Sequence, residues 1–237
     1  MLRVEDLCVR FDGVQALDGI GFSLAAGEAL GLIGSNGSGK STLFDAICGL
    51  VPADSGRILL DGQDLTRAPT HGIARRGVAR TFQAVRLFER MTALENVRCA
   101  QPEASALLGR AARAAEAQCL LERMEIGQFR DALAGDLPLA ARRRLELARA
   151  LARTPRLLLL DEPAGAMTPV EIAQMAQLLR SVHAGGCAMI IVEHRIELVA
   201  DICSRLLVLD CGRMVADGPL TAVLADGRVR SAYLGGG

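Results

Sequence analysis

Residues 34–42 read Gly34-Ser35-Asn36-Gly37-Ser38-Gly39-Lys40-Ser41-Thr42. The spacing Gly-x-x-x-x-Gly-Lys-Ser within this run is typical of a loop that binds phosphate groups. Its glycines allow the backbone to turn tightly and to point successive N–H groups into one concavity, which attracts an anion. Lys40 has the reach to contact the β- and γ-phosphates of a nucleotide, and the Ser41 hydroxyl can ligate Mg²⁺. The run therefore predicts a site for a nucleoside triphosphate with Mg²⁺.

The residues on either side of this loop support that interpretation. Residues 29–33 are short, apolar and strand-like, and residues 42–48 place Leu43, Phe44 and Ile47 on one helical face. The first turn of such a helix attracts anions, because its unpaired N–H groups and the helix dipole both point there. A glycine-rich turn that arose by chance would not need a strand before it and a helix after it, so the phosphate-binding interpretation is preferred.

The composition indicates a folded globular chain. The 237 residues are 51% hydrophobic and 23% charged, and the 27 Lys+Arg balance the 27 Asp+Glu. Nucleic-acid-binding chains more often have a basic excess, so no nucleic-acid partner is expected. The 7 cysteines are scattered and form no Cys-x-x-Cys pair, which is typical of free thiols in a reducing cytosol. Because the sequence has neither a signal-peptide pattern nor an apolar run of about 20 residues, we expect a cytoplasmic location.

Hydrophobic patterns alternate between strands and helices along most of the chain. Apolar runs at 156–160 and 188–192 predict parallel strands that are covered on both faces. Alternating runs at 3–11 and 19–24 predict two strands joined by a turn at 12–13. Residues 91–153 are rich in Ala, Leu and Arg and are predicted to be helical throughout, as an inserted subdomain. The chain is therefore expected to have an α/β fold with crossover connections.

Shorter signals fill in the remaining elements. Thr168-Pro169-Val170-Glu171 is a capping box with proline at the first helical position, and it predicts a helix that ends near Gly185. The further predicted elements are strands at 57–60, 78–82 and 205–209, helices at 70–76 and 195–203, and a hairpin turn at 210–213.

Two adjacent carboxylates follow the leucine-rich strand that ends at Leu160. Ligands of open α/β sheets bind at the carboxyl ends of the strands, which is where Asp161 and Glu162 are expected. Asp161 is predicted to hold Mg²⁺, directly or through water. Glu162 is predicted to take a proton from the attacking water or to orient it. The alternative, a pair of solvated turn residues, is less favoured in a chain with a phosphate-binding loop.

Two more polar side chains are predicted at strand ends. His194 follows the apolar run 190–192, and beside a phosphate site it is predicted to hydrogen-bond the γ-phosphate and to hold the water. Gln83 follows Arg80-Thr81-Phe82, between the sheet and the helical insert. Its amide is predicted to reach the metal while its backbone moves with the insert. The candidate catalytic residues are thus Lys40, Glu162 and His194, and the candidate metal ligands are Ser41, Gln83 and Asp161.

The chain resembles a known family over essentially its whole length, the nucleotide-binding subunits of ATP-binding cassette (ABC) transporters. The residues that carry the resemblance are, in order, Phe11, Gly34 to Thr42, Gln83, Asp161-Glu162 and His194. Residues 77–88, 91–97 and 230–235 resemble in particular the ATPases of bacterial branched-chain amino acid importers.

The resemblance implies an architecture and a set of partners. The fold would be a P-loop NTPase (RecA-like) core with an antiparallel β subdomain and an inserted α-helical subdomain. The whole chain, 1–237, would be one nucleotide-binding domain, with the core at 1–85 and 154–237 and the helical subdomain at about 86–153. The partners would be a second ABC ATPase subunit, transmembrane permease subunits and, indirectly, a solute-binding protein. The ATPase would then lie on the inner face of the cell membrane.

The resemblance also implies roles for individual residues. Phe11 would stack on adenine and so join residues 34–42 and Gln83 as a nucleotide contact. Gln83 would couple hydrolysis to the membrane subunit, which the helical insert would dock. The activity would be ATP hydrolysis that drives import of a branched-chain or related amino acid.

One family motif is altered in this chain. The family signature usually reads Leu-Ser-Gly-Gly-Gln or, in this group, Leu-Ser-Tyr-Gly-Gln, and the aligned residues here are Leu137, Pro138, Leu139, Ala140 and Ala141. In the family, the serine and the following backbone contact the γ-phosphate that the partner subunit holds. Pro138 has neither an N–H nor a hydroxyl to donate, and Ala140 adds a methyl group where the backbone must approach closely.

Three hypotheses remain open from the sequence. The preferred one is an importer ATPase that pairs with a different subunit bearing an intact signature. The second is a nucleotide-binding regulatory subunit with little hydrolysis of its own. The third is a cassette ATPase outside transport, acting on nucleic acid or ribosomes, which would more often have two cassettes or a basic extension. The sequence does not identify the cargo, because in this family other subunits choose it.

Overall fold

The structure is a computed structural model that describes residues 1–102 and 109–229. Residues 103–108 of the predicted helical insert lie outside the described residues, as do residues 230–235, which carry part of the family resemblance. No helix within the two described ranges is long and apolar enough to cross a membrane.

The described chain contains ten strands and nine α-helices. The strands are β1 (Leu2–Phe11), β2 (Val14–Leu24), β3 (Ala29–Gly34), β4 (Ser55–Leu60), β5 (Gln63–Asp64), β6 (Val78–Arg80), β7 (Leu157–Asp161), β8 (Ala188–Val192), β9 (Arg205–Asp210) and β10 (Arg213–Pro219). The helices are α1 (Lys40–Ile47), α2 (Thr70–Arg75), α3 (Ala93–Ala100), α4 (Gly109–Arg123), α5 (Leu139–Leu151), α6 (Pro169–Ala184), α7 (Ile196–Ile202), α8 (Leu220–Ala225) and α9 (Gly227–Val229).

The strands form two sheets. The first is antiparallel, with the order β2-β1-β4-β5, and the second has the order β10-β9-β3-β8-β7-β6. Within the second sheet β6, β7, β8, β3 and β9 are parallel, and β10 pairs with β9 in the antiparallel sense. The α/β class is confirmed, and the antiparallel sheet lies where a β subdomain was predicted.

Alternate side chains of the parallel sheet enter two different cores. Leu157 and Leu159 of β7 pack with α1 and the antiparallel sheet, whereas Leu158 and Leu160 pack with α5, α6 and α7. A strand covered in this way has no polar face, which explains the uninterrupted leucine run. The sheet is the middle layer of the fold, and the carboxyl ends of its parallel strands meet along one edge.

Local patterns located several elements closely. Strand β8 has the predicted bounds, and Thr168 caps α6 through the predicted box with Glu171. Two predicted strands have different lengths: β2 begins at Val14 rather than at residue 19, and β6 ends at Arg80 rather than at residue 82.

The prediction of continuous helix over 91–153 is wrong. Within the described residues, α4 and α5 are separated by 3-10 turns at Gly127–Phe129 and Ala134–Asp136. An isolated bridge joins Thr92 to Leu133. Glycines within both turns and Pro138 before α5 interrupt the helical pattern, since glycine and proline are the least favourable residues in a helix. Helices nevertheless dominate the segment between β6 and β7.

Candidate nucleotide site

The loop after β3 has the shape that its glycines allow. A methyl group on Gly34 would lie 2.2 Å from the carbonyl oxygen of Leu209, so no larger residue fits there. Gly39 adopts φ +104°, a conformation that L-residues rarely adopt, and a methyl group there would lie 2.8 Å from the carbonyl oxygen of Ala16. Gly39 precedes α1, so the loop ends at a helix N-terminus as the phosphate-binding pattern requires.

Lys40 lies folded back over this loop. Its Nζ donates to the carbonyl oxygens of Gly34 and Ser35, both at 2.8 Å, and to the Ser38 hydroxyl at 3.3 Å. Burial lowers the pKa of Lys40, while the negative charges of Glu162 and Asp161 oppose that shift. Lys40 is also the only lysine in the sequence.

Asp161 ends β7 in a buried position with one oxygen paired. Its Oδ2 accepts from Arg80 Nη2 at 2.9 Å, and its backbone N–H donates to the Thr81 hydroxyl at 3.3 Å. The same Arg80 pairs with Asp45 of α1, and its guanidinium carbon lies 5.3 Å from the ring centre of Phe44 and 4.9 Å from that of Phe82. Arg80 therefore ties the acidic strand end to the helix that follows the phosphate-binding loop.

Glu162 is the point where three predicted residues meet. Its two carboxylate oxygens accept from Gln83 Nε2 at 3.2 Å, and His194 Nε2 lies 3.1 Å from Oε1. The backbone of Glu162 has φ +48°, which is uncommon for a residue with a side chain and is often found at functional sites. Because Glu162 N–H donates to the Val192 carbonyl oxygen at 2.9 Å, the ends of β7 and β8 are joined at this point.

A cavity of about 180 Å³ joins the two halves of the site. It is lined by Ala16, by residues 36–42, and by Gln83, Asp161, Glu162 and Val192. The phosphate-binding loop, the two carboxylates and the glutamine, predicted from separate stretches of sequence, therefore surround one space. Ser41, Gln83 and Asp161 supply a hydroxyl, an amide and a carboxylate, the oxygen ligands that Mg²⁺ takes in proteins.

The fit to Mg²⁺ has a limit. No group of three or more His, Cys, Asp or Glu side chains within the described residues is placed to hold a metal ion. A metal at this cavity would therefore rest on a few protein oxygens together with those of a nucleotide phosphate, which is the usual arrangement for Mg²⁺.

Not every predicted residue lines the cavity: Gly34, Ser35 and His194 are not among the lining residues, although His194 contacts Glu162, which is. Two further predicted groups are also absent from the lining. Phe11 lies at the end of β1 with 45% of its surface exposed. Phe11 does not line the cavity, whereas Ala16 on the paired strand β2 does.

The altered signature residues 137–141 are not part of the lining. They span the start of α5, where Pro138 is the N-cap residue and makes no capping hydrogen bond with its side chain. Leu139, the first residue of the helix, is 43% exposed.

Sequence reasoning missed two residues that shape the site. Arg80 precedes Gln83 by three residues without any recognisable motif of its own, yet it pairs with Asp161. Glu193 is buried, and its carboxylate accepts from Ala164 N–H at 2.9 Å and from His194 N–H at 3.2 Å. Both follow from sheet order, because β6 and β8 are the two neighbours of β7. The available signal in the sequence was that Arg80 and Glu193 are charged residues near the ends of predicted strands, where ligands of such sheets bind.

Comparison with known proteins identifies the family. The family profile described as ABC transporter matches residues 17–165, which is more than half of the chain. The chain belongs to the ABC transporter family. It is accordingly an ATPase of that family, and the resemblance seen in the sequence is confirmed.

Individual ABC relatives match almost end to end. The high-affinity branched-chain amino acid transport ATP-binding protein BraF of Pseudomonas aeruginosa is 36% identical over 251 residues, covering 99% of this chain and 98% of the relative. LivG of Escherichia coli, with the same description, has the same identity and coverage. The lipopolysaccharide export system ATP-binding protein LptB of Haemophilus influenzae is 32% identical over 235 residues, covering 99% of this chain and 97% of the relative.

A solved ABC structure supports the fold assignment. The ATP-binding cassette MJ1267 in its ADP conformation superimposes with a TM-score of 0.89 at 29% identity and covers 99% of this chain and 98% of that one. The P-loop NTPase fold is thus confirmed. The names of the relatives agree on an ATP-binding transport subunit and differ in cargo.

Proposed function

We propose that this chain is the ATP-hydrolysing subunit of an ABC importer for branched-chain or related amino acids. The observation that carries the proposal is the single cavity that Lys40, Ser41, Gln83, Asp161 and Glu162 surround. The full-length matches to BraF and LivG favour an amino acid as cargo over the lipopolysaccharide of the LptB system.

Residues 34–42 form the phosphate-binding side of the proposed site. The N–H groups of the loop and of the first turn of α1 would receive the phosphate oxygens. Lys40 Nζ would exchange its three contacts within the loop for the β- and γ-phosphates. The adenine would stack on Phe11, whose exposed ring is free of the core.

The chemistry is proposed to centre on Glu162. Its carboxylate would orient a water molecule toward the γ-phosphate and take the proton that this water loses. His194 would hydrogen-bond the γ-phosphate and help to hold the water, and Gln83, which now donates to Glu162, would turn toward the metal. When bound by Ser41, Asp161 and Gln83, Mg²⁺ would neutralise charge on the phosphate oxygens.

Half of the hydrolytic machinery is proposed to come from a partner subunit. In the family each phosphate-binding loop is completed by the signature of the other subunit. This chain has a complete loop, but at its signature Pro138 and Ala140 cannot provide the usual donors. A heterodimer with a second ABC ATPase would then contain one competent site, built on this chain's Lys40, Glu162 and His194, and one poor site. A homodimer would contain two poor sites.

The helical part of the chain is proposed to face the membrane. We take 1–237 as one nucleotide-binding domain with a helical subdomain at about 86–153. A cavity of about 590 Å³ is lined by helices α3 and α5 and by the loop that carries Gln83 (residues 82–86, the Gln83 loop). Leu50, Phe88 and Arg149 are among its lining residues. Permease subunits would dock there and place the ATPase on the inner face of the membrane, and a solute-binding protein would deliver the cargo.

The test is ATP hydrolysis and amino acid uptake by the assembled transporter in vesicles. With wild-type chain, Mg²⁺-ATP should drive leucine-class uptake, and Glu162→Gln should keep ATP binding and lose about 10²–10⁴-fold in turnover. Hydrolysis without uptake of any amino acid would overturn the import assignment. Wild-type turnover no faster than that of Glu162→Gln would instead favour the regulatory subunit with little hydrolysis of its own.

A further inference from the structure

The segment between β6 and α3 is irregular. Its backbone N–H and carbonyl groups therefore cannot be paired by the regular hydrogen-bond pattern of a sheet or a helix. Residues 82–86 have no regular hydrogen-bonding pattern, and they carry Gln83 to Glu162. Buried backbone groups without partners are costly, so irregular segments near a core are held by side chains. For residues 82–86 these side chains come from one helix, α5.

Three residues on one face of α5 hold both ends of the segment. Glu146 Oε1 accepts from Phe82 N–H at 3.3 Å and from Arg86 N–H at 3.2 Å. Arg143 Nη1 donates to the Phe82 carbonyl oxygen at 3.3 Å, and Arg149 Nη1 donates to that of Arg86. The spacing of three residues places these side chains on the same side of the helix. All four backbone polar groups of Phe82 and Arg86 are therefore paired with α5.

Glu146 is the centre of this arrangement. The residue is 5% exposed, and burial raises the pKa of its carboxyl group, while the two backbone N–H groups and the charges of Arg143 and Arg149 oppose the shift. A buried carboxylate is costly unless it is fully hydrogen-bonded. One carboxylate oxygen, Oε1, accepts from two backbone N–H groups that are four residues apart in sequence. The position of this oxygen therefore fixes the distance between the two ends of the loop that contains Gln83.

We propose that Glu146 is a positioning residue that holds Gln83 against Glu162. The inference rests on the proposed role of Glu162 in hydrolysis. Because α5 begins directly after the altered signature, the same helix links residues 137–141 to the Gln83 loop. Arg143 extends this link, because its guanidinium packs closely on Gly165, in the segment that follows Glu162. A methyl group added to Gly165 would lie only 3.1 Å from Arg143 Nη2.

The proposal predicts a specific pattern of kinetics. Glu146→Leu keeps the volume but leaves two N–H groups without an acceptor, and should lower kcat by about tenfold or more with less than a twofold change in the Kd of ATP. Glu146→Gln places an amide oxygen where the carboxylate Oε1 accepts, so both N–H groups keep an acceptor, and it should retain at least about half of kcat. Glu146→Asp, which keeps the charge but withdraws the oxygen, should lie between the two and provides a folded variant if the leucine variant misfolds.

A double-mutant cycle separates positioning from a general loss of structure. If Glu146 acts through Gln83, then adding Glu146→Leu to Gln83→Ala should change kcat by less than about twofold, because the interaction is already lost. Gln174→Leu is the matched control, since it removes one of the two acceptors of Arg144, a neighbouring residue of α5 that makes no hydrogen bond with residues 82–86, and should leave kcat unchanged. If Glu146→Leu lowers kcat equally in the wild-type protein and in Gln83→Ala, the proposal is overturned.

Hydrogen exchange supplies a readout that does not depend on activity. In Glu146→Leu the amides of Phe82 and Arg86 should exchange about tenfold faster or more, while those of α6 keep their rates. Unchanged exchange at these two amides would overturn the proposal even if kcat fell. A wild-type chain that hydrolyses no faster than Glu162→Gln would instead overturn the proposed function on which the inference rests.

Discussion

Lys40 is the residue on which nucleotide affinity should depend most. Its Nζ is held by three oxygens of the loop, so it is already placed where the phosphates are proposed to bind. Lys40→Ala removes a charge-assisted contact of roughly 1.5–3 kcal/mol. The Kd of Mg²⁺-ATP from calorimetric titration should therefore rise about 10- to 150-fold. An unchanged Kd in a folded Lys40→Ala protein would show that the phosphates bind elsewhere.

The single lysine also makes its titration directly measurable. Protein grown with isotope-labelled lysine should give one side-chain NMR signal, that of Lys40. Burial disfavours the charged form, so the pKa should lie below the usual value of about 10.4. Bound ATP adds negative charge and should raise that pKa. A pKa at or above the usual value in the free protein, or a decrease on adding ATP, would contradict the assigned environment.

At this scale the sequence predicted the contiguous parts of the site and missed the pairings across strands. Residues 34–42 form a loop that is defined by near neighbours, so its pattern was sufficient. The pairing of Arg80 with Asp161 and of Glu193 with Ala164 depends on which strands are adjacent in the sheet. Strand order is a property of the whole fold and is not encoded in any short stretch.

Helix α6 is the element whose start the sequence specifies most completely. Thr168 accepts from Glu171 N–H at 3.4 Å, and Glu171 accepts in return from Thr168 N–H at 2.8 Å. Thr168→Ala should lower the free energy of unfolding by about 0.5–2 kcal/mol, since it removes the cap. Thr168→Asp, the control, keeps an acceptor and should retain most of the stability. Urea denaturation measures both, and equal losses would show that the cap is not responsible.

The elements were predicted with uneven success for a physical reason. Strand β8 and the start of α6 depend on burial and capping within a few residues, and both were located closely. The helical insert was predicted as continuous because Ala, Leu and Arg all favour helix. Its breaks occur at glycines within the two 3-10 turns and at Pro138, which are local signals that the prediction from overall composition overlooked. The bridge between Thr92 and Leu133 then joins two parts of the insert to each other.

At the scale of the whole molecule, the altered signature should limit the chain when it acts alone. A homodimer would use Pro138 and Ala140 at both of its sites. A lost transition-state donor typically costs about 10²–10³-fold in rate. The double variant Pro138→Ser and Ala140→Gly should therefore raise the ATPase rate of the purified chain well above the wild-type rate. A purified wild-type chain that is already fast, or a double variant no faster than it, would show that the present residues support hydrolysis.

The most direct test of the account compares two glutamate variants in the assembled transporter. The claim is that turnover runs through this chain's Lys40, Glu162 and His194, completed by the signature of a different ATPase subunit. Glu162→Gln in this chain should then lower ATP hydrolysis by about 10²–10⁴-fold, while the matching change in the partner subunit should have only a mild effect. Equal losses from the two variants would contradict the account.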